Sequence, residues 1–255
     1  MLPSVQPPPL LERALSWVPF VMSAALVATA VELAVRRPAV GLLLAELSFV
    51  LLVPQFLRRR RLRRVLRSGN VDAVLSAWEA SVHRVPHPET MAPLIAATAL
   101  AAHGFADQAR GALERARRGP VWEAAIEQRL VVETLLSVFD GETAHALETS
   151  SALEGLPLPP ALLLRSRTAG LRLAMGAFAR AFAPQPADAD LALLKTAARQ
   201  NPLVYWAMCY AAAVLNIDRG APQEAARLLR GAPCWPADSA FAAFHQEIAA
   251  RTLRA

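Results

Sequence analysis

Gly104 is followed by Ala109, Leu113 and Ala116 at offsets of five, nine and twelve, and by Pro120 at sixteen; Gly220 is followed by Ala225, Leu229, Ala232 and Pro236 at the same offsets. No other feature of the chain constrains its fold as strongly, because a period of this length commits the polypeptide to stacked copies of one small unit. Glycine ends one helix, small side chains let a second helix approach closely, and proline stops that second helix before the next begins. Each copy is therefore expected to be a helix pair.

Weaker copies begin at Gly69 (Val74, Trp78, Ser81, Pro86) and Gly141 (Ala146, Ser150, Leu153, Pro157), and a fourth has Pro186 in the glycine place (Leu191, Lys195, Ala198, Pro202). The starts at 69, 104, 141, 186 and 220 are spaced by 35, 37, 45 and 34 residues. The long step implies a lengthened first helix or loop between Leu156 and Pro186. First helices are expected near 57–67, 89–103, 121–139, 160–182 and 203–218, and second helices near 71–84, 105–118, 142–154, 187–200 and 221–231. A last helix over 238–253 carries Phe241, Phe244 and Ile248 at helical spacing and would cap the stack as core.

On these residues the chain resembles the tetratricopeptide repeat superfamily, whose helix-turn-helix unit has a 34-residue period and an A-x3-F…P pattern in its second helix. The units Ala109 to Pro120 and Ala225 to Pro236 match well and the other three are degenerate; the first-helix aromatic residues are mostly missing, although Tyr205, Trp206 and Tyr210 enrich the last pair. The resemblance implies a right-handed α-solenoid of about five helix pairs over residues 68–255. It also implies a concave groove that holds a peptide or helix of a protein partner.

Ahead of the repeats lie two apolar runs. Residues 14–35 carry one charge, Glu32, and as a helix would span about 33 Å; residues 39–57 carry Glu46 and a late Pro54 and would span about 28 Å. Together they predict a transmembrane helical hairpin over 14–57, behind a proline-rich tail at 1–13. The apolar share of 55% and mean hydropathy of +0.30 fit a helical domain joined to a membrane segment. A cleaved leader is the rival for the first run, because Ala28-Thr29-Ala30 resembles a cleavage site, but the tail MLPSVQPPPLLER makes a poor basic leader.

Seven arginines, Arg58, Arg59, Arg60, Arg61, Arg63, Arg64 and Arg67, crowd the junction at 58–67. From Ser68 onward 17 basic side chains face 18 acidic ones, so the net charge of +6 comes from the N-terminal part. A basic block beside an apolar run sets orientation and meets anionic headgroups, which argues against a nucleic-acid partner. It places both termini and the repeats on the cytoplasmic side of the inner membrane. The junction helix should send Leu62, Val65 and Leu66 into the stack. Glu46 is costly at mid-span and reads as a functional or packing position, with Thr29 across the hairpin as its candidate partner; Glu32 can meet Arg36 one turn on.

No glycine-rich phosphate loop, G-x-S-x-G, H-E-x-x-H or paired C-x-x-C occurs, so no enzyme, cofactor or metal is expected. His83 and His87 have a metal spacing, but Pro86 and Pro88 break the helix there. Cys209 and Cys234 read as free thiols. The expected role is a membrane-anchored interaction scaffold. The alternative is an accessory subunit of a transport or ion-translocating complex that uses Glu46.

Overall fold

The computed structural model describes residues 38–82, 85–183 and 185–254, and these form helices and no strand. The chain divides into two compact units, Met1–Arg61 and Leu62–Ala255. The first apolar run, with Glu32 and Thr29, lies outside the described residues, as does His83. The second run falls in α1 (Pro38–Arg67), where the described side chains of Glu46, Phe49, Val50, Phe56 and Leu57 are exposed. Among the described residues no helix is long and apolar enough to cross a membrane.

Ten helices follow: α2 (Val71–Val82), α3 (Pro88–Ala102), α4 (Ala106–Arg117), α5 (Ile126–Phe139), α6 (Thr143–Gly155), α7 (Leu162–Ala181), α8 (Asp190–Gln200), α9 (Tyr205–Asp218), α10 (Pro222–Leu228) and α11 (Ala240–Arg254). Neighbours pack as antiparallel pairs, α3 on α4, α5 on α6, α7 on α8 and α9 on α10. The first members of successive pairs also touch, α3 with α5, α5 with α7 and α7 with α9. At 20 residues α7 is longer than the other helices of the pairs, which accounts for most of the 45-residue step.

The glycines at the starts of the sequence copies are helix stops. Gly69, Gly104, Gly141 and Gly220 all have positive φ. After α3 the Phe105 N–H donates to the Leu100 carbonyl and the Gly104 N–H to Ala101; Glu142 with Ser137 and Ala221 with Asn216 repeat the longer bond after α5 and α9. This closure satisfies carbonyls that a helix end would leave bare, and it needs a residue that accepts a left-handed backbone. Gly104 also sits where a Cβ would lie 2.7 Å from Ser239 Oγ and 3.1 Å from the Phe241 nitrogen, so the close approach of another segment excludes a side chain there.

The small framework residues do what the spacing requires. Ala109 and Ala116 are buried on α4, with Leu113 half-buried between them, and Ala225 and Leu229 are buried in the later copy. Pro120 and Pro236 are exposed after their turns. Three boundaries depart from expectation, one of them the start of α8, which lies at Asp190 and not at 187. Residues 120–125 form turns, so α5 starts at Ile126; and α10 ends at Leu228, because Gly231 takes φ 81° and leads into Pro233, leaving Ala232 beyond the helix. Of the expected junction stripe, Leu66 is buried and Val65 half-buried against the core, but Leu62 is 41% exposed.

The larger departure is at the C-terminus. α11 covers α9 and α10 as a cap would, but it also meets the far end of the array. The Ala240 N–H donates to the Gly104 carbonyl at 2.8 Å, and Ser239 Oγ to the His103 carbonyl at 2.8 Å. α9 touches α3, and Trp206 Nε1 donates to the Arg67 carbonyl at 2.9 Å. The unit thus joins its first and last elements, and α9, buried from Trp206 to Ala213, runs through its centre.

Candidate functional site

Aromatic rings from α11 bridge the ends of α5 and α7 to α9. Phe241 meets Phe139 edge-on at 5.6 Å and stacks on Tyr210 at 4.8 Å; Phe244 stacks on Phe182 at 5.3 Å. Such pairs add about 0.5–1.5 kcal/mol each beyond their buried area. Trp235 Nε1 donates to Tyr210 Oη at 2.7 Å, and Tyr210 Oη lies 3.0 Å from His245 Nδ1. Burial pushes the Tyr210 hydroxyl well above the ordinary phenol range. Desolvation lowers the pKa of His103, against the pull of the Ala99 and Leu66 carbonyls. This seam is a structural core: Trp235, Tyr210 and His245 are committed to one another and His103 Nδ1 to the Ala99 carbonyl at 2.8 Å, while His103 Nε2 is buried without a hydrogen-bond partner among the described residues.

Elsewhere in the domain the buried Arg172 and the partly exposed Arg180, Arg129 and Arg110 are matched by acids. Arg172, buried on α7, holds Glu127 at 2.9 Å through Nη2 and the Leu156 carbonyl at 2.6 Å through Nη1. Arg180 grips the buried Asp190 through Nη2 at 2.7 Å and Nε at 3.1 Å, and Asp190 also accepts from the Ala187 N–H. Arg110 pairs with Asp107 and Asp140, and Arg129 lies 3.7 Å from Glu133. These are ties between pairs, built as bidentate forks where burial is deepest.

A cleft of about 370 Å³ between the last turn of α1 and helices α8, α9 and α10 is different. Arg67, Lys195 and Arg199 line it with no carboxylate, over an apolar floor that includes Leu194, Met208 and Leu228. The Arg67 guanidinium lies 4.2 Å from the centre of the Tyr205 ring, and its Nε is buried without a hydrogen-bond partner. Cys209 lies in the same cleft; burial pushes its thiol up to about 11, which the Tyr205 hydroxyl and Arg67 only partly oppose. At neutral pH it is a thiol and not a nucleophile.

A second cleft, of about 400 Å³, lies between Phe182, Val214 and α11, where Arg251 spans Asp218 at 3.6 Å and Glu247 at 3.3 Å. Its one lining cation is shared by two carboxylates.

Of the junction arginines, Arg60, Arg61, Arg63 and Arg64 are exposed, and the side chains of Arg58 and Arg59 lie outside the described ones. Arg67 parts from the group by docking on Tyr205. Cys234 is exposed and Cys209 buried, with no bond between them. Among the described residues no three His, Cys, Asp or Glu side chains gather as metal ligands. Sequence reasoning named Arg67 as a lipid contact and Lys195 as a framework residue without bringing the two together. The available signal was a lysine where the other copies carry Leu113, Leu229, Trp78 or Ser150.

Compared with protein-family models, curated proteins and solved structures, the chain matches none.

Proposed function

We propose that the protein is a membrane-anchored interaction scaffold, with a transmembrane hairpin over 14–57 and a tetratricopeptide-like α-solenoid that engages a protein partner at the cytoplasmic face of the inner membrane. The observation that carries this reading is α1, on which the exposed apolar residues Phe49, Val50, Phe56 and Leu57 are followed directly by the exposed Arg60, Arg61, Arg63 and Arg64. An apolar stretch open to its surroundings with a basic collar at its end fits a lipid core bordered by anionic headgroups. The pairwise packing of α3 through α10 supports the solenoid, a fold that works by presenting surface. α11 already lies across the helix ends that an external helix would use, so the partner takes the faces that α11 leaves open.

The test is fractionation of the full-length chain followed by an alkaline carbonate wash. The anchor reading expects the protein to stay in the pellet and to be released only by detergent; release by carbonate alone removes the hairpin. A second reading, an accessory subunit of an ion-translocating complex, rests on Glu46, exposed on α1 beside the apolar Phe49 and Val50. Glu46→Gln separates the two: intact assembly with lost transport favours the ion path, and lost assembly favours packing.

A further inference from the structure

We propose that the cleft of Arg67, Lys195 and Arg199 is a binding site for a phosphate group carried on a partly apolar ligand. Three observations converge on it.

The first is charge. The domain from Ser68 onward carries slightly more acid than base, and Arg110, Arg129, Arg172 and Arg180 each have a carboxylate partner. Arg67, Lys195 and Arg199 share one cleft in which no acid is present. Three cations lining one cleft without an acid, Arg67 and Lys195 half-buried and Arg199 exposed, give it a positive potential suited to an anion supplied from outside.

The second is the way Arg67 is held. Its Nε is enclosed, so a ligand in the cleft would meet the outer Nη groups, which make no hydrogen bond among the described residues. The ring of Tyr205 holds that guanidinium from one side at 4.2 Å and so fixes its plane without using its donors. A guanidinium held flat with donors unspent is preorganised for an oxyanion.

The third is the lysine itself. Lys195 occupies the ninth offset of its sequence copy, a place held by Leu113 and Leu229 in the two strongest copies. One turn on, Arg199 lines the same cleft from α8.

Phosphate fits better than a single carboxylate because three cations arrive from two separate helices. A tetrahedral group with up to two negative charges offers oxygens in more directions than a planar one can. The half-buried Tyr205 ring and Leu228, above the buried Leu194 and Met208, would take an apolar body, and the volume of about 370 Å³ lies in the ordinary range for small ligands. Two sources share this chemistry, a lipid headgroup and a soluble phosphate ester.

The experiment is calorimetric titration of the full-length chain in a non-ionic detergent at fixed ionic strength. The probes are inorganic phosphate and dihexanoyl phosphatidic acid kept below its micellar concentration. Saturable binding of either one is expected. A clear preference for the lipid assigns the site to a headgroup on an apolar body, whereas equal affinity for both means that the apolar lining plays no part and overturns that half of the proposal. The double variant Lys195→Gln, Arg199→Gln should weaken binding at least tenfold with an unchanged melting temperature. Lys195→Arg should restore binding when paired with native Arg199. Saturable binding that survives the double variant, or that is lost instead when Arg60, Arg61, Arg63 and Arg64 are all replaced by Gln, overturns the proposal. So does the absence of binding by both probes.

Discussion

Gly104→Ala and Gly141→Ala form a matched pair that isolates the joint between the two ends of the helical unit. Both glycines hold left-handed backbone, φ 82° and 75°, and both close a helix with the same pair of hydrogen bonds. The conformational cost of alanine is therefore shared, about 1–2 kcal/mol. The surroundings differ. At Gly141 nothing lies within 4 Å of the new methyl, whereas at Gly104 it would meet Ser239 Oγ at 2.7 Å and the backbone nitrogens of Phe241 and Ala240 at 3.1 and 3.2 Å. Relief requires residues 239–241 to withdraw, which weakens the Ala240-to-Gly104 and Ser239-to-His103 hydrogen bonds at about 1 kcal/mol each. Gly104→Ala should then cost about 3–4 kcal/mol and Gly141→Ala about 1–2. For a unit of this size the gap of about 2 kcal/mol corresponds to roughly 4–8 °C in Tm. Urea denaturation followed by tryptophan emission suits the comparison, because Trp206 and Trp235 lie 6.0 Å apart, ring to ring, beside the joint. Equal losses within about 0.5 kcal/mol would refute the reasoning and mean that α11 does not hold Gly104.

Other perturbations follow from the same contacts. Arg172→Met should destabilise the domain by about 3 kcal/mol, because it strips Glu127 and the Leu156 carbonyl of a buried donor; chemical denaturation reads it, and a loss below about 1 kcal/mol would count against the tie. A maleimide at pH 7.5 should modify the exposed Cys234 within minutes and leave Cys209 untouched until the chain is unfolded, as peptide mass spectrometry would show. Because burial lowers the pKa of His103 below 6.5, the unfolded chain binds a proton there that the folded one does not. Its contribution is therefore intact above about pH 6.5 and falls as pH drops below that value. His103→Gln should flatten the stability profile below pH 6.5, and an unchanged slope would show that His103 does not contribute.

What could be read from the chain follows the range of the forces involved. Gly69, Gly104, Gly141 and Gly220 announced helix ends because a left-handed backbone is a local demand that few residues meet. The alanines of α4 announced a close helix contact because helical period and side-chain size suffice to place them. The start of α5 was missed because Val121, Trp122 and Ala125 fit a helix pattern as well as they fit the turns they form. The joining of the ends left no local trace: Ser239 and His103 are 136 residues apart, and Trp206 and Arg67 are 139 apart. For the cationic cleft half the signal was present, in a lysine standing where leucine recurs. The missing half was Arg67, which the run of neighbouring arginines disguised.

The place of α11 bears on where any ligand can act. Phe241 is fully buried and Ile248 is 5% exposed, and each contributes about 1.5–3 kcal/mol by leaving water. A ligand that displaced α11 would first have to replace about 3–6 kcal/mol from these two side chains, a handicap of roughly a hundredfold to ten-thousandfold in affinity. The cleft of Arg67, Lys195 and Arg199 carries no such handicap, since its lining includes no residue of α11. It opens between α8, α9 and α10, and Tyr205 and Trp206 at the start of α9 already hold Arg67 in place. Occupancy there can be gained without dismantling the joint, and the energy that closes the unit also preorganises the guanidinium that the cleft presents.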